Sequence, residues 1–188
     1  MNFRMISMRR ALFLDRDGVI NCEKNYLYKI SELEWIEGIF ELTKFAAEKS
    51  LQIFIVTNQS GIARGYYTEV DFHLLTKHMT SVFEKNNIKI ADIFYCPFHP
   101  DASIPKFRGD HPWRKPRPGM FFAARDLYNL DLVNSFMIGD RESDVQAAEA
   151  AGIQNIALLG SKHKHSKSSN VIYVSHLSQC IGWISEKL

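Results

Sequence analysis

Short apolar segments of strand length alternate along this chain with segments of helical periodicity, and several of the apolar segments lead directly into polar residues. The strand-like segments are RALFL (10–14), LQIFIVTN (51–58), ADIFYC (91–96), SFMIGD (135–140) and NIALLG (155–160). The helix-like segments cover 39–50, 69–87, 119–130 and 144–152. Such alternation is typical of a parallel sheet covered by helices on both faces. We therefore expect an α/β fold, a three-layer Rossmann-like parallel sheet, followed by a polar loop (161–170), VIYVS (171–175) and a short final helix.

The length and composition predict one compact unit without a nucleic acid or membrane partner. With 188 residues, 46% of them hydrophobic, the chain can bury one core, so we expect one domain over 1–188, with residues 1–9 as a flexible extension. The 23 Lys and Arg nearly balance the 21 Asp and Glu, which gives no reason to expect binding to nucleic acid or to an anionic membrane. Three widely spaced cysteines favour the reducing cytoplasm. Because no apolar segment approaches the roughly 18 residues of a membrane span, we expect a soluble, cytoplasmic protein. We expect a monomer because the sequence shows no long unmatched apolar surface pattern.

Acidic residues stand at the carboxyl ends of two predicted strands, where ligands bind in sheets of this kind. Asp15 and Asp17 follow the first strand within ALFLDRDGVIN (11–21), and Asp140 ends a later strand. Three carboxylates at one edge of a sheet repel each other unless a hard cation lies among them. Mg²⁺ is bound by a few carboxylate oxygens while it keeps waters and phosphate oxygens as further ligands. The pattern therefore indicates a Mg²⁺ site for a phosphorylated ligand.

Other polar groups near the same edge could bind the remaining phosphate oxygens. They are the hydroxyl of Thr57, the backbone N–H groups of TNQSG (57–61) and the amine of Lys115 in RKPRPG (114–119). Asp144 lies in the first turn of the following helix. It could support the site, or it could simply stabilise the helix through its dipole.

These residues occur in the order of four motifs that define a known family. DRDGV (15–19), Thr57, Lys115 and GDRESD (139–144) resemble the motifs of the haloacid dehalogenase-like (HAD-like) phosphatases over nearly the whole chain. The resemblance implies the HAD-like fold. The interval between the first motif and Thr57 leaves room for a small flap, so we expect a fairly open site without a large cap domain.

The resemblance also implies roles for five residues. Asp15 would attack phosphorus to give an aspartyl-phosphate, and Asp17 would protonate the leaving alkoxide and then deprotonate the hydrolytic water. Asp15, the backbone carbonyl of Asp17 and Asp140 would bind Mg²⁺, while Thr57 and Lys115 would assist catalysis. Two carboxyl groups can divide these tasks if their environments keep one ionised and the other protonated.

Longer segments resemble one branch of the family more narrowly, the D,D-heptose 1,7-bisphosphate phosphatases, and less closely the related histidinol-phosphate phosphatases. They are LFLDRDGVIN (12–21), VTNQSGIARGYYTE (56–69), RKPRPGM (114–120) and IGDRESDVQAAEAAG (138–152). The implied reaction removes the 7-phosphate of D-glycero-D-manno-heptose 1,7-bisphosphate and leaves the 1-phosphate for nucleotide activation, as in the synthesis of lipopolysaccharide or of another surface glycan. The implied substrate-contacting residues are Asp15, Arg16, Asp17, Glu23, Lys24, Asn25, Tyr26, Thr57, Asn58, Gln59, Ser60, Arg114, Lys115 and Arg141.

The segment 96–114 departs from the pattern of these relatives, which bind zinc through Cys-x-His and Cys-x-Cys in this loop. The chain keeps Cys96, but Phe98, His111 and Trp113 stand at the other three ligand positions. We therefore expect Mg²⁺ as the cofactor and no zinc, with the loop held by the packing of Phe98, Phe107 and Trp113. The alternative is a shifted zinc site made of Cys96, His99, Asp110 and His111.

Three other functions stay open at this point. The chemistry could act on histidinol phosphate, or on a nucleic acid 3′-phosphate, although the near-neutral charge argues against the polymer. The protein could also bind a sugar phosphate without catalysis. The intact set of Asp15, Asp17, Lys115 and Asp140 argues against that reading, because loss of the nucleophile or the acid is expected of a silent binder.

Overall fold

The computed structural model of the protein describes residues 8–160 and 170–188, which form a parallel sheet and the helices that cover it. The strands are β1 (Ala11–Leu14), β2 (Gln52–Asn58), β3 (Ile90–Cys96), β4 (Phe136–Gly139), β5 (Asn155–Leu159) and β6 (Val171–Val174). The helices are α1 (Ile39–Glu48), α2 (Ser60–Ala63), α3 (Glu69–Lys85), α4 (Gly119–Tyr128), α5 (Glu142–Ala150) and α6 (Leu177–Lys187). Short 3₁₀ turns cover Ile30–Glu32 and Pro105–Phe107. The α/β prediction is confirmed.

The six strands lie in the order β3-β2-β1-β4-β5-β6, and all neighbouring pairs are parallel. The chain therefore builds outward from β1 to β3 and then crosses back to place β4 on the other side of β1. This crossing makes the carboxyl ends of β1 and β4 a topological switch point, where a crevice opens in sheets of this kind.

Two apolar layers hold the helices against the sheet, because successive strand residues point to opposite faces. Leu12 and Leu14 of β1 face one layer, which is completed by α1, α3 and α6. Phe13 faces the other layer, formed with α4 and α5. The ring of Phe13 stacks on Phe54 at 5.4 Å between ring centroids and meets Phe121 edge-on at 5.0 Å. The sheet is thus buried on both faces, as expected from its nearly continuous apolar strands.

Some predicted segments fall partly or wholly outside the described residues. Of the extension expected over 1–9, residues 1–7 lie outside them, whereas Arg9 forms an isolated β-bridge with Leu130. Residues 161–169 of the predicted polar loop also lie outside them. Within the described ranges, no helix combines the length and the apolar character needed to cross a membrane.

The aromatic contacts between β1, β2 and α4 give a test of the core. Phe121→Ala should lower the free energy of unfolding by about 3–5 kcal/mol, because the fully buried ring fills a space that the neighbours cannot close. Leu127 lies on the same helix but is 70% exposed, so Leu127→Ala should change it by no more than about 0.5 kcal/mol. Urea unfolding followed by circular dichroism measures both values. Similar losses in the two variants would contradict this description of the core.

Candidate active site

Polar residues from three strand ends meet at the switch point between β1 and β4. Asp15 follows β1 directly, and its backbone N–H donates to the carbonyl of Ile138 in β4 at 3.0 Å. Asp140 follows β4, and Thr57 lies near the end of β2. The strand order thus brings together residues that are more than a hundred positions apart in the chain.

Three carboxyl groups form an acidic cluster made of Asp15, Asp140 and Asp144. Each offers an oxygen within 4.8 Å of the others. Burial, opposed by Lys115 but aided by the neighbouring carboxylates, raises the pKa of Asp15 to about 8, and burial with the charge of Asp144 raises the pKa of Asp140 to about 6. Among the described residues, the buried Oδ1 atom of Asp140 has no hydrogen-bond partner. A cluster of hard oxygen donors with one of them unpaired fits a Mg²⁺ ion.

The amine of Lys115 supplies the positive charge next to this cluster. Its Nζ lies 2.9 Å from Oδ1 of Asp15 and 2.6 Å from Oδ1 of Asp144, and it donates to the carbonyl of Val56 at 2.8 Å. Burial disfavours the charged amine, but the two carboxylates outweigh this effect and raise the pKa of Lys115 above its usual range. Lys115 is therefore a fixed cation at the base of the site.

The side chain of Asn58 holds Lys115 in place. Its Oδ1 accepts from the backbone N–H of Lys115, and its Nδ2 donates to the backbone carbonyl of Lys115, both at 3.0 Å. This paired contact ties the loop after β3 to the end of β2. The same contact engages both polar atoms of the Asn58 side chain. The resemblance to the family had implied that Asn58 contacts substrate.

Asp144 fulfils both of the roles that the sequence left open. Its Oδ2 accepts from the backbone N–H groups of Asp140 and Arg141 at 3.2 and 3.0 Å, which stabilises the start of α5, while its Oδ1 faces Lys115.

Asp140 is packed closely against the first motif. A Cβ atom on Gly18, which has a φ of +88°, would lie 2.2 Å from Oδ2 of Asp140, so only glycine fits there.

The carboxylate of Asp17 is held by nitrogen donors from three side chains. The guanidinium of Arg16 binds it through Nε and Nη2, Asn21 donates to its Oδ1 at 3.0 Å, and Gln59 donates to its Oδ2 at 3.0 Å. Its side chain is still 17% exposed. Asp17 is therefore fixed in direction while it remains accessible to a ligand.

A pocket of about 210 Å³ opens above these groups. Eleven of the predicted site residues line it, namely Asp15, Asp17, Glu23, Asn25, Tyr26, Thr57, Asn58, Gln59, Ser60, Lys115 and Arg141. The lining also includes Gly61, Tyr67, Ser143 and Asp144. Of these, Tyr67 and Ser143 were not singled out in the sequence, and Gly61 was named only through its backbone N–H. Tyr67 stands in a pair of tyrosines, and only the fold decides which of the two rings turns inward.

Four predicted residues do not line the pocket. Asp140 belongs to the acidic cluster instead. The guanidinium of Arg16 is buried against Asp17 and the carbonyl of Leu27. The remaining two are Lys24, which forms an ion pair with Glu34 at 2.7 Å, and Arg114, which donates to the carbonyl of Phe98 at 3.2 Å.

Residues 23–26, which follow the first motif, form a flap beside the pocket. Its Glu23 pairs with Arg141 at 2.5 Å, which links the flap to the start of α5. Asn25 and Tyr26 both adopt positive φ angles, 49° and 74°. The partly exposed ring of Tyr26 meets Tyr66 at 4.6 Å between centroids. The flap is thus a short ordered segment rather than a cap domain.

Aromatic contacts hold the loop over 96–114. The ring of Phe98 stacks on His111 at 4.4 Å with an interplanar angle of 8°, and it meets Phe107 edge-on at 5.7 Å. Trp113 packs against Phe94 of β3 at 5.7 Å. The contact of Phe98 with Phe107 agrees with the prediction, whereas the stacking of His111 on Phe98 and the packing of Trp113 on Phe94 were not predicted.

The residual zinc ligands of this loop have other partners. The Nδ1 atoms of His99 and His111 accept from the backbone N–H groups of Asp101 and Trp113. In the described part of the chain, Cys96, His99 and His111 do not form a group of three ligand atoms within 4.8 Å.

The chain is similar to known hydrolases over most of its length. Residues 112–178 match the HAD-hydrolase-like family model. The chain is 43% identical over 150 residues to the D-glycero-alpha-D-manno-heptose-1,7-bisphosphate 7-phosphatase of Burkholderia mallei, which covers 80% of this chain and 79% of the relative. It is 45% identical over 143 residues to the D-glycero-beta-D-manno-heptose-1,7-bisphosphate 7-phosphatase of Vibrio cholerae, covering 76% and 77%. The fold resembles the crystal structure of D,D-heptose 1,7-bisphosphate phosphatase from B. bronchiseptica complexed with magnesium and phosphate, with a TM-score of 0.81, 25% identity and coverage of 95% of this chain and 99% of that chain.

The raised pKa values of the acidic cluster predict how Mg²⁺ and pH act together. Asp15 and Asp140 hold their protons well above the ordinary pKa of 3.8 and must release them when a cation binds. Stabilisation by Mg²⁺ should therefore grow as the pH rises from about 5 to about 8. In the metal-free protein the native state binds more protons than the unfolded state in this range, so the contribution of these groups to the free energy of unfolding falls as the pH rises. Urea unfolding at several pH values, with EDTA and with Mg²⁺, measures both effects.

Two variants test whether the stabilisation by Mg²⁺ arises in the acidic cluster or from the overall charge of the protein. Asp140→Asn should reduce the Mg²⁺-dependent increment, which reaches about 3 kcal/mol when the ion is at 100 times its dissociation constant. Asp126→Asn, on the exposed face of α4, should leave the increment unchanged. An increment that is independent of pH, or equal in the two variants, would contradict a cation site in the acidic cluster.

Proposed function

This chain belongs to the D-glycero-D-manno-heptose-1,7-bisphosphate 7-phosphatase family of HAD-like hydrolases, and we propose that it removes the 7-phosphate of D-glycero-D-manno-heptose 1,7-bisphosphate. The products would be the heptose 1-phosphate and inorganic phosphate. The observation that carries the proposal is the placement of Asp15, Asp17 and Lys115 around one small pocket, with the carboxylate of Asp15 held by the Lys115 amine.

The proposed reaction proceeds in two steps. An oxygen of Asp15 attacks phosphorus, the bond from phosphorus to the C7 oxygen breaks, and Asp17 donates a proton to that oxygen. Asp17 then takes a proton from a water molecule that attacks the aspartyl-phosphate, which releases phosphate and restores Asp15. Asp17 suits this part because it lines the pocket with a fixed and accessible carboxyl group.

Fixed donors at the base of the pocket would stabilise the charge on the transferred phosphoryl group. Lys115 brings a cation to the nucleophile, and the hydroxyl of Thr57, which accepts from Gln59 at 2.8 Å, is left with its hydrogen free to donate elsewhere. We propose that Asp15, Asp140 and the backbone carbonyl of Asp17 hold Mg²⁺. When bound, this ion would neutralise part of the negative charge of the phosphate.

A substrate with two phosphates needs a second cationic region, and we propose that Arg141 and Arg114 supply it. Arg141 lines the pocket. Arg114 lies near Arg64, whose Nη2 is 3.2 Å from Nε2 of His99. Within residues 8–160 and 170–188, neither Arg64 nor Arg114 has a carboxylate within 4.0 Å, so both charges are available for an anion. These cations favour a bisphosphate over a monophosphate.

The remaining proposals concern cofactor, assembly and location. We propose that Mg²⁺ is the cofactor and that the loop over 96–114 works without zinc, since aromatic stacking occupies the place of the missing ligands. We also propose a monomer that acts in the cytoplasm, where a reducing environment would keep Cys22, Cys96 and Cys180 as the free thiols that the structure contains.

Phosphate release with Mg²⁺ and without added zinc tests the proposed function. Both anomers of D-glycero-D-manno-heptose 1,7-bisphosphate should be compared with histidinol phosphate and with a 3′-phosphorylated oligonucleotide. We expect kcat/KM for one heptose anomer to exceed that for the other two compounds by more than about 100-fold, or about 2.7 kcal/mol of transition-state discrimination.

Variants connect this activity to the site. Asp15→Asn should abolish phosphate release because the amide cannot act as the nucleophile, while the exposed Asp126→Asn should keep wild-type activity. Equal or better turnover of histidinol phosphate would contradict the proposed substrate. Full activity of Asp15→Asn would contradict the mechanism.

A further inference from the structure

Gln59 is expected from its motif to contact substrate, but the structure commits its polar groups to the protein. Its backbone N–H donates to the carbonyl of Cys96 at 2.8 Å. Its Nε2 donates to Oδ2 of Asp17 at 3.0 Å and to Oγ1 of Thr57 at 2.8 Å, and its Oε1 accepts from the hydroxyl of Tyr67. With only 2% of its surface exposed, Gln59 has no polar group left for a ligand.

Tyr67 completes this chain of hydrogen bonds. It is 6% exposed, and burial raises the pKa of its hydroxyl, so the group stays protonated and can donate at neutral pH. Its ring stacks on Tyr28 at 5.5 Å with an interplanar angle of 14°. It reaches Gln59 because Gly61 has no side chain, since a Cβ there would lie 2.2 Å from Cε1 of Tyr67. The position of the hydroxyl is thus fixed by packing.

The hydroxyl of Tyr67 sets the orientation of the Gln59 amide. When Oε1 accepts from Tyr67, the NH₂ group must face Asp17 and Thr57, where both of its hydrogens are used. The opposite orientation would turn the amide oxygen towards the carboxylate of Asp17. Loss of the tyrosine hydroxyl would therefore leave a buried acceptor unpaired and loosen the donor that holds Asp17.

Gln59 differs from the other donors to Asp17 in its origin. Arg16 and Asn21 belong to the same loop as Asp17, whereas Gln59 follows β2 and is anchored to β3 through Cys96. It is the donor in this network that fixes Asp17 relative to the sheet, and with it relative to Asp15.

We propose that Tyr67 and Gln59 are positioning residues that hold Asp17 for proton transfer to the leaving group. The inference rests on the proposed phosphatase function, in which Asp17 is the general acid. It adds a residue, Tyr67, that touches neither the metal ligands nor the nucleophile, and it gives Gln59 a role in orientation instead of substrate contact.

The test exploits the dependence of catalysis on the leaving group. A sugar phosphate leaves as an alkoxide and needs the acid, whereas p-nitrophenyl phosphate leaves as a stable phenolate that needs little protonation. Tyr67→Phe should lower kcat for the heptose bisphosphate by about tenfold, a part of the full contribution of a general acid, and change kcat for p-nitrophenyl phosphate by no more than about twofold. KM for both substrates should change little, because the hydroxyl is committed to Oε1 of Gln59.

Two further variants make the result specific. Tyr128→Phe removes a tyrosine hydroxyl that donates to Asp92 at 3.0 Å, away from the pocket lining, and should leave the ratio of the two activities at the wild-type value. Gln59→Leu should reproduce the selective loss. Adding Tyr67→Phe to Gln59→Leu should then cost less than about twofold more, because the tyrosine acts through the amide.

The possible results distinguish a failure of the positioning role of Tyr67 from a failure of the proposed phosphatase function. Equal loss of both activities in Tyr67→Phe, or additive losses in the double variant, would overturn the positioning role while the wild-type enzyme still turns over heptose bisphosphate. A wild-type protein that releases phosphate from neither substrate would overturn the proposed function and the positioning role together.

Discussion

The balance of charge between the buried Lys115 and three carboxyl groups is the interaction on which the rest of the site depends. Asp15 and Asp144 are almost fully buried, and each lies within hydrogen-bond distance of the same amine. Removing one member of a buried ion pair typically costs about 3–5 kcal/mol, because the remaining charge loses its partner without regaining water. One lysine cannot balance the negative charge of three carboxylates. Burial, together with this excess of negative charge, raises the pKa values of Asp15 and Asp140. A divalent cation would remove this excess, so we expect stability, metal binding and proton uptake to be coupled in this cluster.

The strand order, one side-chain contact and one glycine bring these charged groups together. The carboxyl ends of β1 and β4 are neighbours because the chain reverses its direction of growth across the sheet. Lys115 comes from a long irregular loop, yet the paired contacts with Asn58 fix its backbone to the end of β2. Gly18 removes the side chain that would otherwise separate Asp140 from the first motif. Together these contacts bring the charged groups to one edge of the sheet, beneath the pocket.

Residues whose position follows from a strand end could be predicted, whereas those whose direction depends on packing could not. Asp15, Thr57 and Asp140 lie where the apolar segments end, and the periodicity of the sequence indicates that edge of the sheet. Lys115 was a candidate phosphate ligand from its residue type, and the resemblance to the family assigned its catalytic role. The direction of Arg16 depends on Phe72 and that of Tyr67 on Tyr28, neighbours that lie far away in the sequence. The sequence also could not show that Asp144 serves the helix and the lysine at once, since the two contacts use different oxygens of one carboxylate.

Phosphorylation of the buried Asp15 side chain during turnover is the step on which the proposed function depends. Borohydride added to the enzyme while it hydrolyses heptose bisphosphate would reduce an aspartyl-phosphate to homoserine, which mass spectrometry of the peptide containing residues 11–21 would detect. We predict homoserine at position 15 in the enzyme trapped with substrate and Mg²⁺, and unmodified Asp15 when substrate is omitted. Turnover with no modification at position 15, or with trapping at another carboxyl group such as Asp17 or Asp144, would contradict the account.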